Sequence, residues 1–134
     1  MTSFEFIIDG PPISQQARSR ERLHAWRDMI RLRAEQDWPA GAPALEGVLL
    51  LQVTYYYEET PVDDSDIVTP ILDALVGLVH HNHKQFTDIS TSRQDLYGSF
   101  RVEGLTAKLA EGLSRGEEFI HIRVLQADQQ EQVR

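Results

Sequence analysis

The chain has 134 residues, no cysteine, and 21 acidic against 13 basic side chains, for a formal net charge of −8. That length suffices for one domain with its own core, and the missing cysteines exclude disulfides, thiolate metal sites and a cysteine nucleophile. No apolar run approaches the roughly 20 residues of a membrane span, and the start Met1-Thr-Ser-Phe-Glu-Phe lacks the basic and apolar segments of a secretory signal, so a soluble cytoplasmic protein is expected.

Phe4 to Asp9 alternates apolar and polar residues and stops at Gly10-Pro-Pro, which predicts a short first strand. From Ser14 or Ser19 to Trp38 the period changes. Leu23, Trp26, Ile30 and Ala34 recur at helical spacing, so a long helix is expected to turn one stripe to the core and its arginines away, ending at Pro39. Between residues 11 and 34, Arg18, Arg20, Arg22, Arg27, Arg31 and Arg33 face only Glu21 and Asp28. That stretch is locally positive in an acidic chain, which fits either a solvated helix face or a nucleic-acid contact.

Val48 to Tyr57 carries ten strand-forming residues without a breaker and is expected to be the central strand. Its tyrosine triplet fits core and cross-strand packing better than a base-stacking platform. Asp63, Asp64 and Asp66 then crowd before an apolar helix of about fifteen residues, about 20 Å long. Asp66 or Thr69 can cap that helix, Pro70 suits its first turn, and Gly77 weakens its end. Asp73, inside the helix, is expected to bond a backbone group or an arginine. After the helix come His80, His81, His83 and Asp88, metal-capable side chains at loop rather than helical spacing, which also fit an exposed polar turn. The acidic and histidine clusters meet only if the flanking strands bring both to one end of a sheet.

Phe86 to Leu96 reads as a polar strand near an edge, Tyr97-Gly98 as a turn, and Ser99 to Glu103 as a short hairpin partner. Leu105 to Leu113 is weakly helical, Glu118 to Leu125 is the last strand with His121 on its polar side, and His24 belongs to the helix face. One domain over residues 1–127 with a loose tail over 128–134 is expected. The class is α/β or α+β: a small mixed sheet, a long N-terminal helix and a central buried helix.

The run Pro70-Ile-Leu-Asp-Ala-Leu-Val-Gly-Leu-Val79, followed by Gln85, Thr87 and Asp88, resembles the RusA family of Holliday-junction endodeoxyribonucleases. The similarity extends from Phe4 to about Leu125. The resemblance implies a RusA-like homodimer that binds four-way DNA through a basic surface and holds magnesium on acidic residues for phosphodiester hydrolysis. In the family motif Asp-x-Asp-Asn-x-x-Lys-Pro, anchored on Pro70, the first aspartate falls on Asp63. The second falls on Ser65, the asparagine on Asp66 and the lysine on Thr69, while an Asp-Asp pair after the helix falls on Asn82 and His83.

The fold pattern is therefore kept while most ligand positions are replaced. Asp63, Asp66 and His83 are the candidate catalytic residues. Asp63, Asp64, Asp66, His83 and Asp88 are the candidate ligands for a divalent cation, magnesium or manganese with zinc less suited, if any binds. Asp64-Ser-Asp66 offers a slipped Asp-x-Asp register, and no residue restores the lysine. Arg18, Arg20, Arg22, Arg27 and Arg31 are the candidate DNA contacts. Two readings follow: a catalytically impaired pseudo-nuclease that binds branched DNA or a protein partner, possible roles including inhibition or immunity, or an active metal-dependent junction endonuclease in recombination and repair.

Overall fold

The computed structural model describes residues 3–59, 66–98 and 105–127. Strand β1 (Ser3–Asp9) leads through a loop to helix α1 (Arg20–Asp37), then strand β2 (Leu49–Tyr57) and helix α2 (Val68–Leu75). One 3-10 turn (His83–Gln85) precedes strand β3 (Phe86–Asp95), and helix α3 (Ala107–Ser114) precedes strand β4 (Phe119–Gln126). The strands form one mixed sheet in the order β1-β4-β2-β3, parallel only between β2 and β3. This is an α+β fold with β2 and β4 inside the sheet. Among the described residues, no helix is long and apolar enough to cross a membrane.

Two cores form because the alternating strands are apolar on both faces in their middle. Phe4, Phe6, Ile8, Leu49, Leu51, Val53, Tyr55, Ile120, Ile122 and Val124 point to the side carrying α1 and α2. Helix α1 answers with Leu23, Trp26, Ile30 and Ala34, all buried, as its spacing predicts. On the other face Ile7, Tyr56 and Phe119 pack with Leu109 of α3. Tyr55 and Tyr56 are thus core residues on opposite faces, not a stacking platform.

Helix α2 corrects the expected length: it has eight residues rather than about fifteen. The backbone at Val76 is extended and Gly77 takes a φ of 86°, a left-handed conformation that suits glycine and cannot continue a helix. The Gly77 amide donates to the His80 carbonyl at 2.7 Å, closing a tight loop that drives Val79 and His80 inward to full burial. His80 therefore does not belong to an exposed polar turn.

Strand β3 is the expected edge strand, with Thr87 through Arg93 exposed. The 3-10 turn before it has its own capping box, with Asn82 accepting from the Lys84 amide at 2.8 Å and the Gln85 side chain from the His81 and Asn82 amides at 2.6 and 3.1 Å. The expected hairpin partner at Ser99 to Glu103 and the tail over 128–134 lie outside the described residues.

Candidate nucleic-acid interface

Because β2 and β3 run parallel, α2 must carry the chain back along the sheet. Asp66 lies between the carboxyl end of β2 and the start of α2, whereas the histidine cluster enters the amino end of β3, with Phe86 opposite Leu49. Asp66 and the histidines therefore sit at opposite ends of the sheet, so the condition for the two clusters to meet is not fulfilled for Asp66.

Asp66 opens α2. One carboxylate oxygen accepts the Val68 and Thr69 amides, both at 3.0 Å, and the other accepts the Thr69 hydroxyl at 2.6 Å. The residue standing where the family motif has asparagine lies just before the boundary residue Ile67 and caps the helix with its side chain, a role that asparagine and aspartate fill equally well. The residue standing where the motif has lysine supports that cap. Asp66→Ala is expected to cost about 1 kcal/mol of stability and Asp66→Asn almost none, measured as urea midpoints. Equal losses in the two variants would show that the carboxylate charge, not the cap, is what matters there.

The loop between β1 and α1 is fixed to the same residue. The Gln15 amide donates to the Asp66 carbonyl at 2.8 Å, and the Asp66 amide donates to the Gln16 side-chain oxygen at 3.3 Å. The start of α1 is thereby held beside Asp66. Ser19 caps it, accepting the Arg22 amide at 3.2 Å, and Arg20 reaches back to the Gln15 and Ala17 carbonyls at 2.9 and 3.4 Å. Arg18 and Arg22 are exposed and form no ion pair among the described residues.

Arg27 and Arg31 differ from the expected outward-facing stripe. Arg31 donates to the carbonyls of Ala74 at 3.3 Å and Val76 at 2.8 Å, satisfying the last turn of α2, and also pairs with Glu35 at 3.2 Å. Arg27 lies 3.6 Å from Asp73, whose other oxygen is 3.2 Å from His83 Nε2. Asp73 thus meets an arginine, as the sequence suggests, and joins α1, α2 and the 3-10 turn.

Of the predicted site residues, Asp63 and Asp64 lie outside the described residues. Asp66 and Asp73 are separated by seven positions, about 10 Å along a helix, so Asp66 and the Asp73-bound His83 do not share one ion's coordination shell. Asp88 is exposed and pairs with Leu50, on the sheet face away from α1 and α2. Among the described residues no three histidine, aspartate or glutamate side chains converge to hold a metal. Gln15 and Gln16, which set the geometry around Asp66, carry no sequence signal that would single them out.

Two buried histidines, His80 and His121, are held below their usual pKa. Burial pushes the His80 imidazole below its usual 6.5, although its Nε2 donates to the Leu72 carbonyl at 3.0 Å. Burial also lowers His121, outweighing the Glu5 carboxylate 2.8 Å from its Nε2, and places it in the packed face rather than on a wet one. In both cases the unfolded chain binds the proton more readily than the folded one. Their stabilising effect is complete above about pH 6.5 and is lost as the pH falls below it. The urea midpoint is expected to drop between pH 7.5 and 5.5, and His121→Gln to flatten that dependence; an unchanged slope would place the titrating groups elsewhere.

A scan against protein-family models finds no match, and a search of curated proteins finds none either.

Proposed function

We propose that this protein is a RusA-like module that binds branched DNA at the carboxyl end of its sheet without hydrolysing it. The observation that carries the reading is the pair of hydrogen bonds between Asp66 and the Gln15-Gln16 loop, which holds the start of α1, with Arg18 and Arg22, beside Asp66. Exposed guanidinium groups there can engage phosphates as charge-assisted, bidentate donors. Loss of hydrolysis is supported by the fate of the motif positions. Asp66 and Thr69 cap a helix, Asp73 is neutralised by Arg27, and His83 is turned to Asp73.

A second reading, a protein partner in place of DNA, is favoured by a specific observation. Arg27 and Arg31 are committed to α2, which leaves a small positive surface on a chain of net charge −8. The test is a gel shift and cleavage assay on a labelled four-way junction at low salt, with magnesium, manganese and zinc in parallel and an Asp63→Asn/Asp66→Asn protein as control. A salt-sensitive shift with no cutting in any lane is expected. Metal-dependent cutting abolished by the double substitution would establish the active nuclease instead, and absence of any shift would turn the search to a protein.

A further inference from the structure

The sheet end remote from Asp66 holds a cavity of about 730 Å³, within the size range of small-molecule sites. It is bounded by the start of β1, the last turn of α1, the segment from Pro39 to Glu46, and the starts of α3 and the C-terminal edge of β4. Its apolar wall is made of Phe4, Trp38, Pro39, Pro43 and Leu45. The Phe4 and Trp38 rings meet edge to face, with centroids 4.9 Å apart and planes at 86°. Trp38 donates its indole N–H to the Ala42 carbonyl at 3.1 Å, so its ring orientation is set before any ligand arrives.

The charged lining is unequal. Glu5, Asp37 and Glu46 face a single cation, Lys108. The Lys108 ammonium is already offset by Asp37 at 3.2 Å and Glu111 at 3.9 Å. Glu5 is turned to His121 and Thr106, at 2.8 and 3.0 Å. Glu46 is 81% exposed, and its contact is the less exposed His81, whose Nε2 lies 2.8 Å away. The lining thus carries three carboxylates against one ammonium; Glu5 and Asp37 are already engaged, Glu5 also lying 3.9 Å from Arg123, whereas Glu46, beside the Trp38 wall, is held only by His81 and can exchange that contact for a cation. Aromatic walls with a nearby acid are the arrangement that suits an ammonium group wrapped in methyl or methylene groups.

We infer that this cavity binds a small organic cation with an apolar shell, an alkyl- or trimethylammonium group, seated against Trp38 with its charge towards Glu46. This site is independent of the DNA reading. The test titrates the full chain with choline, with its neutral isostere 3,3-dimethylbutan-1-ol and with benzoate, following the Trp38 indole N–H resonance. The buried Trp26 indole serves as internal reference.

Choline is expected to shift the Trp38 signal saturably, and the neutral isostere to bind about tenfold more weakly, the scale of a desolvated cation–aromatic contact. Glu46→Gln, at an exposed position, is expected to weaken choline several-fold while the circular dichroism spectrum and the isostere's binding stay unchanged. Equal binding of choline and the isostere would show a plain apolar cavity and overturn the inference. Preferential binding of benzoate would assign the site to Lys108 and overturn it equally, as would the lack of a saturable shift with choline.

Discussion

Phe119→Ala is expected to lower the unfolding free energy by about 3–5 kcal/mol, the largest single effect among the changes considered for this fold. The ring is completely buried in the face covered by α3, stacked on Tyr56 at 4.7 Å with an interplanar angle of 14°. Its removal opens a cavity bounded by Ile7, Tyr56 and Leu109, and α3 is too short to collapse into it without losing its own contacts. The counterpart is Gly112. A Cβ built there would lie 2.6, 2.8 and 2.9 Å from three carbons of the same ring. Alanine is the better helix former by about 1 kcal/mol, but forcing the ring aside costs about 1–3 kcal/mol, so Gly112→Ala is expected to destabilise on balance. The decisive measurement is a double-mutant cycle in urea with Phe119→Leu. The smaller side chain should absorb the added methyl, making the double variant more stable than the sum of the single changes predicts. Strict additivity would mean that α3 does not rest on Phe119.

Arg18→Glu/Arg22→Glu is expected to weaken junction binding about 100-fold at low salt and to flatten its salt dependence, because two phosphate-neutralising charges are replaced by two repulsive ones. Both side chains are exposed, so unfolding midpoints should stay within about 0.5 kcal/mol of the parent. Arg31→Met reverses the pattern. Its guanidinium satisfies the Ala74 and Val76 carbonyls, and its loss is expected to destabilise by about 1–3 kcal/mol while leaving the affinity of the folded protein for DNA unchanged. If Arg31→Met weakened the gel shift without moving the urea midpoint, the division between contacting and structural arginines would be wrong.

The elements most legible in the sequence are those whose burial follows one strong period. Leu23, Trp26, Ile30 and Ala34 mark the buried stripe of α1, and Leu49, Leu51, Val53 and Tyr55 mark the inner row of β2. Edge position was also readable for β3, whose serines, threonines and charged residues have no apolar face to bury. Helix α2 reads too long because Leu78 and Val79 continue an apolar pattern that the backbone abandons at Gly77; composition reports burial, not the conformation that achieves it. The burial of His80 is hidden from the sequence for the same reason, since the loop closing on its carbonyl is a tertiary event.

The candidate site was less legible than the fold. Helical spacing alone puts Arg27 and Arg31 on an accessible stripe, and only the packing of α2 on α1 shows that Asp73 and two carbonyls claim them. The separation of Asp66 from His83 likewise depends on β2 and β3 being parallel, which no local pattern encodes.

Strand β4, the last described element, is inserted between β1 and β2, pairing with both along its length. During synthesis β1 and β2 therefore have no shared neighbour until residue 126 has left the ribosome. The β2–β3 pair and the contacts of α1 with β1 and α2 can be assembled on the nascent chain, but one edge of β2 stays open meanwhile. A long wait with an unpaired apolar strand invites association with other chains. Synthesis halted anywhere before Phe119 should leave a protease-sensitive, chaperone-bound product, whereas a stall beyond Gln126 with the tunnel cleared should yield a folded one.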